Sequence, residues 1–168
     1  AVRLNPNLNG AFSNWGNALS AQAKLKGNTP EADRLFAEAT QKFAEAVRLK
    51  PDLHEAFSNW GNALSAQAKL KGNTPEADRL FAEATQKYAE AVRLKPDDES
   101  AHFNLACLAA LLGQVRKCCE SLAKWKQYKP YPKKSDLDLD ADFDRVRNAP
   151  EFQAFRERFR SSSCPPKP

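Results

Sequence analysis

The sequence has few of the residues from which enzyme sites are built. It contains no methionine and two histidines, His54 and His102, and it has no glycine-rich phosphate loop. Neither histidine has a nucleophile or carboxylate placed to complete a catalytic set. No apolar run approaches the about 20 residues that a membrane-spanning helix requires, and no secretory signal peptide is recognisable. We therefore expect no enzymatic activity, no cofactor and no membrane partner.

Cysteine is also scarce and is not arranged for metal binding. The four cysteines are Cys107, Cys118, Cys119 and Cys164, and no pair has the C-x2-C spacing of a zinc site. Neighbouring residues on a helix point about 100° apart, so Cys118 and Cys119 suit neither a disulfide nor a shared ion. We predict no metal site. Free buried thiols favour an intracellular, reducing compartment.

A long internal repeat dominates what is present. Residues 11–55 and 56–100 are identical at 41 of 45 positions, and one of the four differences places Tyr88 where the first copy has Phe43. Residues 1–10 (AVRLNPNLNG) match the end of the same unit (AVRLKPDLHE). We therefore expect the chain to begin inside a repeat, either as a natural fragment of a longer array or as an engineered repeat protein.

Each repeat has the pattern of a helical hairpin. Apolar and small residues recur at three- and four-residue steps in its first half: Phe57, Trp60, Gly61, Leu64 and Ala68. A second stripe follows: Ala77, Leu80, Phe81, Ala84, Tyr88, Ala91 and Val92. The spacing predicts two helices of about 18–20 residues in each repeat.

Residues at the predicted helix ends support these boundaries. Gly72 is expected to end the first helix in a left-handed conformation, and Thr74 to cap the second, which begins at Pro75. Pro96 stops that second helix. No segment alternates with the period of a strand. Because one hairpin cannot bury both stripes, we predict an all-α, right-handed solenoid of stacked antiparallel helix pairs.

These residues resemble the tetratricopeptide repeat (TPR) family. The family pattern of aromatic, glycine, leucine, alanine and proline positions is met by Phe57, Trp60, Gly61, Leu64, Ala84, Tyr88 and Pro96. The resemblance implies extended TPRs at 11–55 and 56–100, each with an 11-residue insertion, and a TPR of ordinary 34-residue type at 101–131. Residues 1–10 would be the tail of a preceding repeat.

The segment after the repeats departs from the pattern. A connection rich in proline and charge leads to residues 132–160, which we predict to form two short capping helices broken before Pro150. Trp125 is expected to pack on these helices. Residues 161–168 (SSSCPPKP) are expected to be a disordered tail.

The positive charge is concentrated near the C-terminus. Seven basic residues and one acidic residue lie between Arg116 and Lys134, with Trp125, Tyr128 and Tyr131 among them. Such a helix can contact nucleic acid phosphates and bases. More often it is a solvated face whose aromatic residues turn to the core, and we favour this interpretation over a nucleic acid partner.

Repeated asparagines are the sharpest functional signal. Asparagine disfavours helix interiors, yet it recurs every 45 residues in the first helix of each unit. Its amide both donates and accepts, so it can pair with the main chain of an extended peptide. TPR proteins as a family bind peptides or proteins in a concave groove lined by these helices, which the resemblance implies here. The predicted groove residues are Asn14, Asn17, Lys24, Asn59, Asn62, Lys69 and Asn104.

Two alternatives stay open. Asn14, Asn59 and Asn104 suit repeat stacking as well as they suit binding. The chain as a whole suits a non-enzymatic scaffold for a protein or extended peptide, but a structural module that self-associates is also consistent with the sequence. In that case an apolar end formed by Val2, Leu4, Phe12 and Trp15 would pair with another copy.

Overall fold

The described part of the chain is helical. The structure is a computed structural model that describes residues 8–128, 137 and 140–161, with side chains described to residue 158. It divides after Pro96 into two compact units. Within the described residues there are no strands, and consecutive helices pack in pairs. The predicted all-α fold of paired helices is confirmed.

The first unit contains four long helices: α1 (Leu8–Lys26), α2 (Pro30–Leu49), α3 (His54–Lys71) and α4 (Pro75–Leu94). Their lengths of 19, 20, 18 and 20 residues agree with the sequence prediction. α1 pairs with α2, and α3 pairs with α4. Each pair is one hairpin, and the two hairpins have nearly the same sequence.

The turns of the two hairpins are built by the same residue types. Gly27 and Gly72 have φ values of +66° and +65°, a region that side chains with a Cβ rarely occupy. Thr29 and Thr74 then cap the second helices, because each Oγ1 accepts a hydrogen bond of 3.2 Å from the backbone N–H three residues later. The predicted glycine ends and threonine caps are confirmed.

A glycine allows the two helices of each hairpin to approach closely. A Cβ added to Gly16 would lie 2.7 Å from Cε1 of Phe43, and one added to Gly61 would lie 2.8 Å from Cε1 of Tyr88. Both rings are buried against these glycines. The aromatic residue of the second helix therefore fills the space that the glycine of the first helix leaves.

The hairpins stack through α3, which packs against both α1 and α2. This packing buries Ala56 and Ala63, which are only 0% and 2% exposed. A neighbouring repeat thus covers the apolar side that one hairpin cannot bury alone.

The second unit contains α5 (Glu99–Leu111), α6 (Val115–Tyr128), a 3-10 turn (Ala141–Phe143) and α7 (Pro150–Ser161). α5 and α6 pair with each other and, at 13 and 14 residues, are shorter than the helices of the first unit. Their core includes Cys118, Leu122 and Trp125 and extends to the C-terminal elements through Leu137, Phe143, Val146 and Phe152. Trp125 therefore packs where the sequence predicts.

The capping segment has helical elements of different kinds on the two sides of the predicted break before Pro150. Before the break lies a 3-10 helix of three residues, Ala141–Phe143, and after it lies α7, which is an α-helix. Backbone bonds of the 3-10 type and side chains together hold this region. The N–H of Asp144 donates to the carbonyl of Ala141 at 3.1 Å, Asp140 Oδ1 accepts from the N–H of Asp142 at 2.9 Å, and Arg147 donates to the carbonyls of Leu137 and Asp140 at 3.3 and 2.9 Å.

Both predicted terminal segments lie largely outside the residues that the structure describes. Ser161 is the last residue of α7 rather than the first residue of a tail. Residues 162–168, and Val2 and Leu4 of the predicted apolar end, lie outside the described residues.

Candidate functional site

The first unit presents one asparagine to solvent from each of its first helices. Asn17 on α1 and Asn62 on α3 are both exposed and occupy equivalent positions, 45 residues apart. Lys24 and Lys69 are exposed seven residues further along the same helices. Because seven residues are about two helical turns, each lysine lies on the same side of its helix as the asparagine before it.

Only the second of these asparagines receives a hydrogen bond from a tyrosine on the paired helix. The hydroxyl of Tyr88 on α4 donates to Asn62 Oδ1 at 2.6 Å. The equivalent residue on α2 is Phe43, which has no hydroxyl to offer Asn17. The two amides therefore differ in how firmly their own hairpin orients them.

The other three repeated asparagines lie in different surroundings. Asn59 is half-buried where the hairpins stack, and its Nδ2 donates to Ser13 Oγ on α1 at 3.4 Å. Asn14 has the same place on α1 but is exposed. Asn104 is half-buried on α5 in the second unit. The Ser13 contact favours the stacking interpretation for Asn59, and binding roles for all seven predicted residues remain predictions.

An ionic contact that the sequence analysis missed joins the two hairpins. Lys71 Nζ at the end of α3 lies 2.7 Å from Asp33 Oδ2 at the start of α2, and Gln67 Nε2 donates to Asp33 Oδ1 at 3.2 Å. The hydrogen bond from Lys71 lowers the pKa of Asp33, and the same bond raises the pKa of Lys71. No local sequence signal marks this pair, because its members are 38 residues apart.

The basic helix α6 turns its tryptophan to the core. Trp125 is buried, and the ring of Tyr128 stacks on His102 with the ring centres 5.5 Å apart. Packing within the second unit thus uses both of these aromatic residues on the basic helix.

The described cysteines are buried or half-buried thiols. Burial raises the pKa of Cys118 to about 12, and burial also raises that of Cys119. Ligand atoms of Cys107, Asp140 and Asp142 lie within 4.8 Å of one another, a grouping that the sequence spacing did not reveal. Asp140 Oδ1 already caps the N–H of Asp142, and the predicted absence of a metal remains a prediction.

Residues 2–112 match the sequence model of one protein family, described as the plant-specific mitochondrial import receptor subunit TOM20. The match covers about two thirds of the chain and includes every predicted groove residue. None of the curated proteins compared with the chain matches it. Within the described residues, no helix combines the length and apolarity needed to cross a bilayer.

The family description corrects one prediction and supports another. The predicted localisation, a reducing intracellular compartment, is wrong, because the family is one of mitochondrial import receptor subunits. The cysteines misled because burial itself keeps thiols such as Cys118 protonated and unreactive in any compartment. A receptor subunit binds rather than catalyses, in agreement with the predicted lack of enzymatic activity. Since the match spans more than half of its length, the chain belongs to the plant-specific TOM20 family of mitochondrial import receptor subunits.

Proposed function

We propose that the protein is a non-enzymatic scaffold that binds a peptide segment of an imported protein along the first helices of its repeats. The observation that carries this proposal is the exposure of Asn17 and Asn62 at equivalent positions on α1 and α3. Membership of an import receptor family supports binding as the activity. The exposed amides supply a surface on which that binding can occur.

The chemistry of this surface suits the backbone of a ligand. Each asparagine amide offers two N–H donors and a carbonyl acceptor, which matches the alternating groups of a peptide main chain. Contacts of this kind do not depend on the ligand's side chains. A receptor that must accept many different proteins needs that tolerance.

The proposed surface in the first unit consists of Asn17, Lys24, Asn62 and Lys69. We assign Asn59 to stacking instead, because its amide donates across the interface to Ser13. Asn59 and Asn62 are three residues apart, so their directions around the helix differ by only about 60°. Asn59 lies at the edge that meets the neighbouring hairpin, whereas Asn62 is exposed.

The lysines restrict how a ligand can lie. Mitochondrial targeting segments are amphipathic and rich in arginine, with few acidic residues. Lys24 and Lys69 are exposed cations and repel such arginines at short range. A bound targeting segment should therefore turn its basic side away from the lysines and present its backbone or apolar side to α1 and α3.

The test uses a fluorescent amphipathic, arginine-rich peptide and the full chain. Asn17→Ala should weaken peptide binding about fivefold, because one net hydrogen bond contributes about 1 kcal/mol. Its melting temperature should not fall, since Asn17 is exposed, Phe43 offers it no hydroxyl and alanine has the higher helix propensity.

The effect of replacing Asn62 is measured in a chain that already lacks the Tyr88 hydroxyl, because Asn62 also accepts the Tyr88 hydrogen bond. The variant Asn62→Ala with Tyr88→Phe is compared with Tyr88→Phe alone, and a further fivefold loss is expected. The matched control is Gln41→Ala with Gln86→Ala. These exposed amides repeat with the same spacing on α2 and α4, so their loss should leave affinity unchanged.

Unaltered affinity in the asparagine variants would remove this surface from the binding site. A peptide of the same apolar pattern with glutamate in place of arginine separates the ligand classes. Tighter binding of the acidic peptide would contradict a targeting segment as the ligand.

A further inference from the structure

One face of α1 is solvent-exposed although its copy on α3 is covered. Trp15 is 49% exposed, whereas the equivalent Trp60 is 9% exposed. Ala18 is exposed, but Ala63 is buried. The same contrast holds along the whole face. We call these residues the α1 stripe: Ala11, Asn14, Trp15, Ala18, Gln22 and Leu25.

Their spacing places the members of the α1 stripe on one side of the helix. They recur at steps of three and four residues, which is the period of a single helical face. Leu25, at 88% exposed, is the most exposed large apolar residue in the described part of the chain. The corresponding Leu70 on α3 is half-buried.

The structure also shows what covers this face on α3. The first hairpin packs there, since α3 contacts both α1 and α2. Polar contacts at two points fix its position. Asn59 Nδ2 donates a hydrogen bond to Ser13 Oγ, and the carboxylate of Asp33 accepts hydrogen bonds from Gln67 Nε2 and Lys71 Nζ. The occupant of the face is therefore a hairpin that offers a hydroxyl from its first helix and a carboxylate from its second.

Trp15 of the α1 stripe makes the same lysine contact as its covered copy, Trp60. Lys42 Nζ lies 3.8 Å from the centre of the Trp15 ring, and Lys87 Nζ lies 3.6 Å from that of Trp60. In each hairpin the equivalent lysine of the second helix therefore holds the tryptophan ring of the first helix in place. The exposed face needs no rearrangement of its own tryptophan to receive a partner.

We propose that the α1 stripe is a docking surface for a helical hairpin of the repeat's own kind. The partner would place a hydroxyl opposite Asn14, as Ser13 lies opposite Asn59. It would also place a carboxylate opposite Gln22 and Lys26, which correspond to the two residues that hold Asp33. This surface shares no residue with the proposed binding surface of Asn17, Lys24, Asn62 and Lys69, and it does not depend on the role proposed for that surface.

A comparison of Lys26 at the end of α1 with Lys71 at the end of α3 shows which contact a partner adds. Lys71 lies 2.7 Å from Asp33 across the interface and 3.7 Å from Glu76 of its own hairpin. Lys26 makes the own-hairpin contact, to Glu31 at 3.0 Å. Docking would supply the second carboxylate, and the apolar contacts of Trp15, Ala18 and Leu25 would supply most of the driving force.

The direct test inserts one further copy of residues 11–55 after Gly10 of the full chain. Both chains are labelled with 5-fluorotryptophan, and the fluorine shift between H2O and D2O measures how far water reaches each ring. The resonance of Trp15 is assigned with Trp15→Phe. In the extended chain the solvent shift of that ring should fall about fivefold, the ratio of the 49% and 9% exposures.

A matched control separates specific docking from mere addition of residues. In the control the inserted copy carries lysine at the position of Asp33, and the receiving helix carries Ala18→Glu. The first change opposes Lys26 with a like charge, and the second puts an unpaired charge where Ala63 is buried. Both should restore the solvent shift of Trp15 while circular dichroism shows the inserted helices still formed.

Three results would overturn the proposal. One is an unchanged Trp15 shift in the extended chain. Another is a solvent shift of Trp15 in the parent chain that is as small as that of Trp60, since the chain itself would then cover the stripe. The last is a closed dimer of the parent chain in sedimentation experiments that Ala18→Glu abolishes, because the stripe would then pair with the same stripe of a second copy and not with the hydroxyl and carboxylate side of a hairpin.

Discussion

The Tyr88 hydroxyl donates a 2.6 Å hydrogen bond to Asn62 Oδ1, a bond that Phe43 cannot make to Asn17 in the otherwise matching hairpin. One substitution between two copies thus decides whether the second helix of the hairpin orients the exposed amide of the first.

This difference predicts opposite effects from reciprocal substitutions. Tyr88→Phe should lower the free energy of unfolding by about 1 kcal/mol, the usual net contribution of one hydrogen bond. Phe43→Tyr should raise it by a similar amount, because the new hydroxyl can reach Asn17 as Tyr88 reaches Asn62. Urea unfolding followed by circular dichroism measures both. Equal stability of all three chains would show that the hydrogen bond only replaces one to water.

The glycines of the first helices predict a steric effect. Gly61→Ala would bring its Cβ to 2.8 Å from the Tyr88 ring, closer than carbon atoms approach without a shift of one of them. We expect a loss of about 1–3 kcal/mol, as in other overpacked cores. Urea unfolding measures this loss.

Gly10→Ala is the matched control. Gly10 also lies in a helix, but nothing lies within 4 Å of its added Cβ. Alanine should stabilise the chain there by up to about 1 kcal/mol, because it has the higher helix propensity. Destabilisation of the same size at Gly10 would assign the effect of Gly61→Ala to the backbone instead of the ring.

Helix ends were predictable because their determinants are local. Gly72, Thr74 and Pro75 are adjacent in the chain, and each acts on backbone groups within four residues. The kind of helix at 141–143, a 3-10 turn, was not predictable in this way. There the guanidinium of Arg147 holds two carbonyls, and no local propensity marks that contact.

The asparagine positions show the limit of sequence reasoning for the site. Asn14 and Asn59 occupy the same position in nearly identical repeats, so the sequence assigns them one role. The structure separates them, because α3 has a hairpin packed against it and the stripe of α1 is exposed. Burial of a repeat residue depends on its neighbour, which the repeat itself does not encode.

The contact between Asp33 and Lys71 predicts a pH-dependent stability. The pKa of Asp33 is lowered in the folded chain, so its contribution is present above the ordinary carboxyl pKa and is lost as the pH falls through the folded value. The pKa of Lys71 is raised, so its contribution is present below the ordinary lysine pKa and is lost as the pH rises through the folded value. The contribution should therefore be constant between about pH 5 and pH 9.

Asp33→Asn should lower the free energy of unfolding in that window by no more than about 1 kcal/mol, since the Asp33 side chain is 40% exposed. The difference from the parent chain should shrink below about pH 4. Asp78→Asn is the control, because Asp78 has the same place in the first turn of α4 and the same interaction with the helix dipole. Thermal unfolding across the pH range measures both variants. An equal, pH-independent loss in the two would exclude the ion pair as the cause.

The buried thiol of Cys118 predicts slow alkylation in the folded chain. Only the thiolate reacts, and burial raises the pKa of this group to about 12, so about one thiol in 10,000 is ionised at pH 8. Iodoacetamide should therefore modify Cys118 about a thousandfold more slowly in the native chain than in urea, as measured by mass spectrometry of peptides. The half-buried Cys119 on the same helix is the internal comparison and should react faster than Cys118. Native alkylation of Cys118 within tenfold of the unfolded rate would mean that the core around Leu122 and Trp125 opens readily, because a closed core neither ionises the thiol nor admits the reagent.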